Sequence, residues 1–453
     1  MKARLPNRGV ALVMVLAMIS VLTVMLTEIQ DEVSTEMAGA MGDRDSVQAE
    51  YLARSAINLA RLLVASEPTV RQSVAPLFLF LRQTPPQIPV WEFADYLLGM
   101  FSDSQGGSSF TRVTGADLSS GKNLKLGNGY FEISVVDEDR MINVNSGASN
   151  DIAHLRLARQ LMGLMAPPQY NSLFEQVDEQ GEVHDRLRIC QAIIDWADED
   201  ERAFSCDFLN NNRSSGVEDN HYYELLPKPY RAKNSSYDSL EELRMVRGIG
   251  DEFWSTFIDP DPAQPSKRNI TVWGQGTINV NTASPQTLLA LLCSGSPQAD
   301  ICLDANQSQL FIMAMTMARG LSMGAPLFGK AEDFMESMKG RGAMGPIMER
   351  LGLKPIRFLA ENDFKLSIGT ESKVFSIYAI GIVKRHKREV RTSIHAVVDF
   401  RSALSLLKPT NHTTNSARES EDNSNQRANE TKTDSYSPLL PTTAGNFIYY
   451  RIH

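Results

Sequence analysis

The chain has 453 residues, of which 42% are apolar and 22% are charged, and its formal net charge is -9. This composition is ordinary for globular domains, and the length allows two or three packed units. The negative charge disfavours nonspecific binding to nucleic acid, because such binding depends on Lys and Arg neutralising phosphates.

The first element is an apolar stretch from Val10 to Leu26, which follows a basic leader at residues 1–9. Roughly 17 residues are the lower limit for a helix that crosses a bilayer, so the stretch can span a membrane. The basic residues before it keep the amino terminus cytoplasmic and send the bulk of the chain across the membrane. No small-residue cleavage site follows, so we expect the stretch to be retained. Helical spacing continues and predicts one long helix over residues 10–66.

The remaining pattern predicts an α+β fold in which a helical domain interrupts a small antiparallel sheet. Residues 67–144 begin as helical or irregular material and end in a strand, since "GYFEISVV" alternates apolar and polar residues. Residues 145–372 have mostly helical patterns. Residues 373–408 alternate on both sides of the charged turn "KRHKR", which predicts a β-hairpin. Residues 409–440 are polar and predict a disordered linker, and residues 441–453 predict a final strand.

One stretch, "DWADEDERAFSCDFLNNNRSSGVED", carries five carboxylates that are candidate metal ligands. They are Asp195, Asp198, Asp200, Glu218 and Asp219. Hard oxygen ligands that converge from a loop are what calcium requires, so this stretch is a candidate calcium site. The spacing is not that of an EF-hand, and a solvated acidic loop is the alternative interpretation.

A second stretch, "LEELRMVRGIGDEFW", predicts a helix-hairpin-helix unit with Gly248 and Gly250 in the hairpin. In DNA-binding relatives of this motif, the glycines let backbone amides approach a phosphate. Here an acidic flank would repel that phosphate, so we expect a packing role and no nucleic-acid partner. The flank consists of Glu241, Glu242, Asp251 and Glu252. Two Asn-x-Asn segments, "MINVNSGAS" and "INVNTASPQ", echo each other at the entries to helices.

One stretch has the spacing of a catalytic motif, and the chain has four cysteines. "GAPLFGKA" has the spacing of a phosphate loop, but Ala331 replaces the Ser or Thr that would hold magnesium, so we predict no enzyme. The four cysteines form an even set without a Cys-x-x-Cys spacing, which leaves little support for zinc. Cys293 and Cys302 would close a short loop and are the best disulfide candidate. Pairing of Cys190 with Cys206 is the weaker one.

The boundary between leader and helix, at Arg8 and Gly9, resembles the class III leader of type IV pilins and type II secretion pseudopilins. The resemblance implies that a prepilin peptidase cuts between Gly9 and Val10 and that the new amino terminus is methylated. It also implies that the apolar helix is first a membrane anchor and then a filament helix. Met14 occupies the fifth mature position, where most members of that superfamily carry Glu.

Met14, the large helical insertion, the Asp-Trp-x-Asp-x-Asp run and the two Asn-x-Asn segments together resemble the K-type minor pseudopilins of type II secretion, general secretion pathway protein K. The resemblance implies a tip subunit that initiates and caps the pseudopilus for export of folded proteins. It implies I- and J-type minor pseudopilins, the major pseudopilin, the prepilin peptidase and the inner-membrane platform as partners. It further implies calcium in the acidic loop and a single-pass inner-membrane protein with its bulk in the periplasm. The alternative is a membrane-anchored, competence-type DNA-binding protein.

Overall fold

The computed structural model describes most of the chain in ten ranges. They are residues 8–80, 84–98, 129–175, 183, 185–207, 220–322, 324–342, 344–385, 388–403 and 443–453. Most of the predicted leader, residues 1–7, lies outside these ranges, as do the predicted linker at 409–440, Glu218 and Asp219.

The described chain contains twelve α-helices and eight strands. The helices are α1 (Arg8–Phe80), α2 (Ala94–Leu98), α3 (Asp151–Met165), α4 (Arg186–Asp195), α5 (Asn220–Glu224), α6 (Asp251–Phe253), α7 (Pro285–Gly295), α8 (Asp300–Leu303), α9 (Ala305–Ser322), α10 (Ala331–Met338), α11 (Gly345–Arg350) and α12 (Glu361–Lys365). The strands are β1 (Gly129–Asp137), β2 (Ile142–Asn143), β3 (Ile270–Thr271), β4 (Ile278–Asn279), β5 (Ile368–Gly369), β6 (Val374–Arg385), β7 (Arg388–Asp399) and β8 (Asn446–Ile452). Short 3-10 helices are Val90–Phe93, Glu138–Arg140, Val144–Gly147, Pro168–Phe174, Leu240–Met245 and Pro265–Lys267, and Trp254–Ile258 is a π-helix.

Helix α1 is 73 residues long and continues past the predicted end at residue 66, with Pro68 and Pro76 inside it. Its middle third packs on the sheet through small and branched residues at helical spacing, including Ala49, Ala53 and Ile57, all of which are buried. Small side chains bring the helix axis close to the sheet. That burial, and not helix propensity, holds this part of α1 in place.

The main sheet is antiparallel, with the strand order β1-β6-β7-β8. Strands β6 and β7 form the predicted hairpin, and β8 is the predicted final strand, paired along β7. Alternate residues such as Phe375, Ile377 and Ala379 point to the core shared with α1. The long amino-terminal helix, the small antiparallel sheet and the largely helical body confirm the predicted α+β class.

The helical domain is inserted between β1 and β6 and has a hydrophobic core of its own. Helices α3 and α7 cross at Gly163, where an added Cβ would lie 2.2 Å from the carbonyl oxygen of Ala290. The domain also contains two short parallel strand pairs, β2 with β3 and β4 with β5, which the sequence analysis did not predict. Two-residue strands carry no period-2 pattern, so the sequence offers no signal for them.

Candidate functional sites

The first candidate site is the amino-terminal part of α1, which projects from the folded body. Val10 and the other apolar residues through Leu26 are exposed, and Met14 is 68% exposed. Within the described residues, α1 is the one helix that is long and apolar enough to cross a membrane, and none of its most apolar window is buried. Gly9 and Val10 lie in the first turns of this helix. The chain therefore has one apolar helix consistent with a single-pass membrane anchor.

Past the apolar span, α1 is amphipathic and still uncovered. Ile29, Val33, Met37 and Met41 recur every fourth residue and are all exposed. A row at this spacing occupies one face of a helix, which normally packs against another element. The acidic side chains Glu28, Asp31, Glu32 and Glu36 share the same segment.

The adjoining ends of β6 and β7 hold α1 at the point where it leaves the body. Arg388 donates from its guanidinium to the carbonyl oxygen of Ala38 at 3.1 Å, and an added Cβ at Gly42 would meet that guanidinium. Arg385 forms an ion pair with the buried Asp45 at 3.1 Å. Arg385 and Arg388, which belong to the predicted charged turn, therefore fix α1 to the sheet. The segment of α1 that precedes these contacts projects from the body.

The second candidate site is the acidic loop that follows α4. Asp195 is buried and accepts hydrogen bonds from the backbone N–H of Phe204 at 2.8 Å and from the side chain of Gln191 at 3.2 Å. Burial, together with the nearby Asp198 and Asp200, raises the pKa of Asp195 to about 7. Asp198 is also buried, whereas Asp200 is partly exposed and pairs with Arg202 at 2.8 Å.

The donor chemistry of this loop suits a hard divalent cation, because two buried carboxylates and a third nearby repel one another in the absence of one. The structure brings Asp195, Asp198 and Asp200 into one loop. In the part of the chain that the structure describes, however, no group of three acidic, His or Cys side chains is arranged closely enough to hold a metal ion. Glu218 and Asp219 lie outside that part.

Both cysteine pairs form disulfides, Cys190–Cys206 and Cys293–Cys302. The first closes the loop that carries the three described carboxylates, since Cys190 lies in α4 and Cys206 follows the loop. The sequence separation is 16 residues. Of the two disulfides, this one restrains the loop of the candidate site.

An aromatic cluster supports the loop from beneath. Trp196 follows Asp195 and packs against three tyrosines, with ring centroids 5.6 to 6.5 Å away. The indole N–H of Trp196 donates to Glu242 at 3.3 Å, and Lys233 forms an ion pair with the same carboxylate at 3.0 Å. Part of the acidic flank predicted beside the hairpin is therefore committed to internal bonds.

The predicted hairpin joins the 3-10 helix Leu240–Met245 to α6. Gly248 has φ of 80°, in the left-handed region that favours glycine, whereas Gly250 is extended. Arg244 bonds Asp251 at 2.7 Å and lies over the ring of Trp254 at 4.1 Å. These contacts lock the hairpin to its own helices.

Two asparagines of the inserted domain each use the side-chain amide to bond both backbone groups of one distant residue. Asn145 accepts from the N–H of Tyr237 at 2.8 Å and donates to its carbonyl at 2.9 Å. Asn281 makes the equivalent pair with Phe328, with both distances 2.9 Å. The echo of the two Asn-x-Asn segments was visible in the sequence, but the two partner residues, about 50 to 90 positions away, were not.

Residues 141–257, which contain the acidic loop and the hairpin, match the sequence model of the family described as "Type II secretion system (T2SS), protein K". The match covers about a quarter of the chain, and this segment resembles the type II secretion protein K family. The K family is a component of a secretion system and is not known as an enzyme. Nothing in the match supports the alternative of a DNA receptor.

Two relatives accompany this family match. Type II secretion system protein K of Aeromonas hydrophila is 29% identical over 123 residues, which is 27% of this chain. The chain spans about a third of the length of that relative, 32%. A crystal structure of the GspK-GspI-GspJ complex from the type 2 secretion system of enterotoxigenic Escherichia coli is 15% identical, with a TM-score of 0.36, over 60% of this chain and 75% of that chain.

Proposed function

We propose that the chain is a minor pseudopilin that stands at the tip of a type II secretion pseudopilus and initiates and caps its assembly. The observation that carries the proposal is the uncovered amino-terminal segment of α1. Its apolar part can be covered by lipid, and the amphipathic part beyond the membrane requires protein neighbours. Helices in membranes associate through close packing, so neighbouring pseudopilin helices can replace the lipid as a filament grows.

Met14 favours the tip position. A carboxylate inside hydrocarbon costs several kcal/mol unless it is paired, for example with the amino-terminal charge of a neighbouring subunit. The exposed thioether of Met14 cannot make such a pair. A subunit without the pair is poorly suited to join beneath another one, but it loses nothing by being first.

The orientation and the processing belong to the same proposal. The basic leader keeps the amino terminus cytoplasmic, so the sheet and the inserted domain stand on the periplasmic side of the inner membrane. A prepilin peptidase removes residues 1–9, and Val10 becomes a methylated amino terminus. The partners are I- and J-type minor pseudopilins, as in the complex named above, together with the major pseudopilin and the inner-membrane platform.

The test is intact-mass and amino-terminal analysis of the full chain from native membranes. We expect a mature chain that starts at Val10 and carries one methyl group, and a Gly9→Val variant that retains its leader. A chain that still starts at Met1, or one cut beyond Leu26, would contradict the proposal. Co-expression with I- and J-type pseudopilins then tests for a stable ternary complex.

Calcium binding in the acidic loop is a second part of the proposal. Asp195, Asp198 and Asp200, with Glu218 and Asp219, would supply the oxygens, and calcium would neutralise carboxylates that otherwise repel one another. We expect millimolar CaCl2 to raise the Tm of the wild-type chain and to leave an Asp195→Asn variant nearly unchanged. Equal shifts in both chains, or no shift in the wild type, would rule the site out. MgCl2 at equal ionic strength is the control.

A further inference from the structure

Strand β8 is the edge strand of the main sheet. It pairs with β7, and none of the strands described lies on its other side. An edge strand presents a row of backbone donors and acceptors that can pair with another chain. Natural proteins often block such an edge with Lys, Pro or a covering helix, but β8 contains neither Lys nor Pro.

The register shows which backbone groups face outward. His453 and Ser393 exchange two hydrogen bonds, at 2.8 and 3.2 Å, so their N–H and C=O groups point toward each other. In an antiparallel pair, bonded and non-bonded residue pairs alternate. Ile452, opposite Ile394, and Tyr450, opposite Ala396, are therefore the non-bonded positions. Their N–H and C=O groups point away from β7, toward the open edge.

The side chains of β8 that lie beside this open edge are apolar. Phe447, Tyr450 and Ile452 are 41 to 44% exposed, although they share the α1 side of the sheet with core residues of β7. The exposed charge on the strand is that of Arg451. An exposed row of aromatic and aliphatic side chains, beside outward backbone groups that no described strand pairs with, fits an extended peptide.

Strand β8 is held firmly enough to act as a template. Arg61 of α1 donates to the carbonyl oxygens of Ala444 at 2.9 Å and Gly445 at 2.8 Å, and it lies over the ring of Phe447 at 4.2 Å. On the opposite face, Tyr449 packs against Trp273 with ring centroids 5.2 Å apart. A preformed edge has little ordering entropy left to lose on binding.

We infer that the outer edge of β8 pairs with an extended strand of a neighbouring pseudopilin in the tip complex. The inference rests on the proposed function. Arg61 bonds the start of β8 to α1, so the edge is held in a fixed place relative to the helix. A neighbour whose helix runs along the projecting part of α1 brings its folded body beside this edge. Its strand would complete the sheet by pairing with the outward groups of Tyr450 and Ile452.

The test removes a single outward donor. Proline lacks the N–H but is tolerated on the solvent side of an edge strand, so Ile452→Pro leaves the pairing with β7 intact. Ile452→Ala is the matched control, because it shortens the side chain and keeps the N–H. Tyr450→Pro and Tyr450→Ala form a second pair of variants. Each full-length chain is reconstituted in nanodiscs, and its affinity for the co-purified I- and J-type pseudopilins is measured.

We expect each proline variant to bind about tenfold more weakly than its alanine counterpart, since one backbone hydrogen bond is lost and its partner is left unpaired. If the Pro and Ala variants bind the I- and J-type pseudopilins with equal affinity and have unchanged Tm values, strand pairing is overturned. Binding by the wild-type chain would in that case leave the proposed function standing. Absence of wild-type binding would instead overturn the proposed function. A cross-link from position 452 to a second copy of this chain would contradict the assigned occupant.

Discussion

His395 lies in the sheet at the boundary with the inserted domain. Its ring stacks on Tyr378 at a centroid distance of 4.2 Å and meets Trp273 edge-on at 5.6 Å. Its Nε2 lies 3.1 Å from the hydroxyl of Ser376, which donates to the buried Glu138. Burial, together with the nearby Arg268 and His453, lowers the pKa of His395 to about 3.

This shift predicts how stability depends on pH. The folded chain holds His395 neutral, whereas the unfolded chain binds a proton at a pKa of about 6.5. The contribution of His395 to stability is therefore complete above pH 6.5 and is lost as the pH falls toward 3. Between pH 6.5 and 5 the loss is about 2 kcal/mol for one proton.

We expect a His395→Phe variant, which keeps an aromatic ring and cannot be protonated, to lose less stability over this interval than the wild type. The measurement is urea unfolding at both pH values. The exposed His221→Phe is the control and should follow the wild type. Parallel curves for all three chains would show that His395 does not govern the acid response.

At the scale of single residues, the sequence identified candidate residues but did not predict the environment of their side chains. Asp195, Asp198 and Asp200 remain candidate ligands, and their burial was not predictable, because burial depends on contacts with distant parts of the chain. His395 looked like an ordinary strand residue. The aromatic rings that enclose it come from three separate segments.

At the scale of elements, α1 and the sheet meet at Gly381 of β6. A Cβ added there would lie 1.8 Å from the carbonyl oxygen of Ala49. The absence of a side chain lets the helix lie directly on the strand. The contact fixes the height of α1 against the whole sheet.

A Gly381→Ala substitution should push α1 off the sheet and lower the free energy of unfolding by about 3 kcal/mol, the upper end of overpacking effects. Gly39 of the same helix has no atom within 4 Å of an added Cβ. The Gly39→Ala control should leave the Tm of the body unchanged, as followed by tryptophan fluorescence. Equal Tm values for both variants would show that the close approach is not required.

The Cys190–Cys206 disulfide supplies a second prediction for an element, the acidic loop. Replacing both cysteines with Ser should lower stability by about 3 kcal/mol, because the unfolded chain regains loop entropy. The same replacement at Cys293 and Cys302 opens a shorter loop, with a sequence separation of 9 residues, away from the carboxylates. We expect both variants to lose similar Tm, and the stabilisation by calcium to fall in the first variant alone.

The elements that the sequence predicted best are those with strong periodicity, namely α1, the β6–β7 hairpin and β8. The end of α1 was less predictable, since Pro68 and Pro76 are ordinarily helix-ending signals and the helix continues through both.

At the scale of the whole molecule, a buried acidic run joins the sheet to the inserted domain. Burial, together with the neighbouring Asp139, raises the pKa of Asp137 to about 7. Asp139 accepts hydrogen bonds from the N–H groups of Gln275, Lys373 and Val374 at 2.6 to 3.1 Å. The run follows β1, and Lys373 and Val374 open β6. The entrance and exit of the inserted domain are thus tied to one carboxylate.

An Asp139→Ala variant leaves these donors unpaired in a buried site and should lower stability by about 4 kcal/mol. Because the donors flank the insertion, amide hydrogen exchange should rise first at Gln275, Lys373 and Val374. The exposed Asp251→Ala should change stability by less than about 0.5 kcal/mol. Uniform exchange over the chain in both variants would refute a local joint.

The sequence predicted that a helical domain interrupts the sheet, because the hydrophobic period changes from 2 to 3.6 and back. It could not predict the joint. A charged sequence such as "DEDR" after a strand is typical of an exposed turn. These residues are buried because a segment 234 positions later in the chain packs against them.

The length of α1 also sets a distance. Twelve helical positions lead from Leu26, the end of the apolar span, to Ala38, where Arg388 of β7 first holds the helix. At 1.5 Å per residue, they form a rod about 18 Å long. In a membrane, this rod would work as a spacer that sets the clearance between the lipid headgroups and the β-sheet. Inserting or deleting one helical turn would shift that clearance by about 5 Å and rotate the body by a small angle.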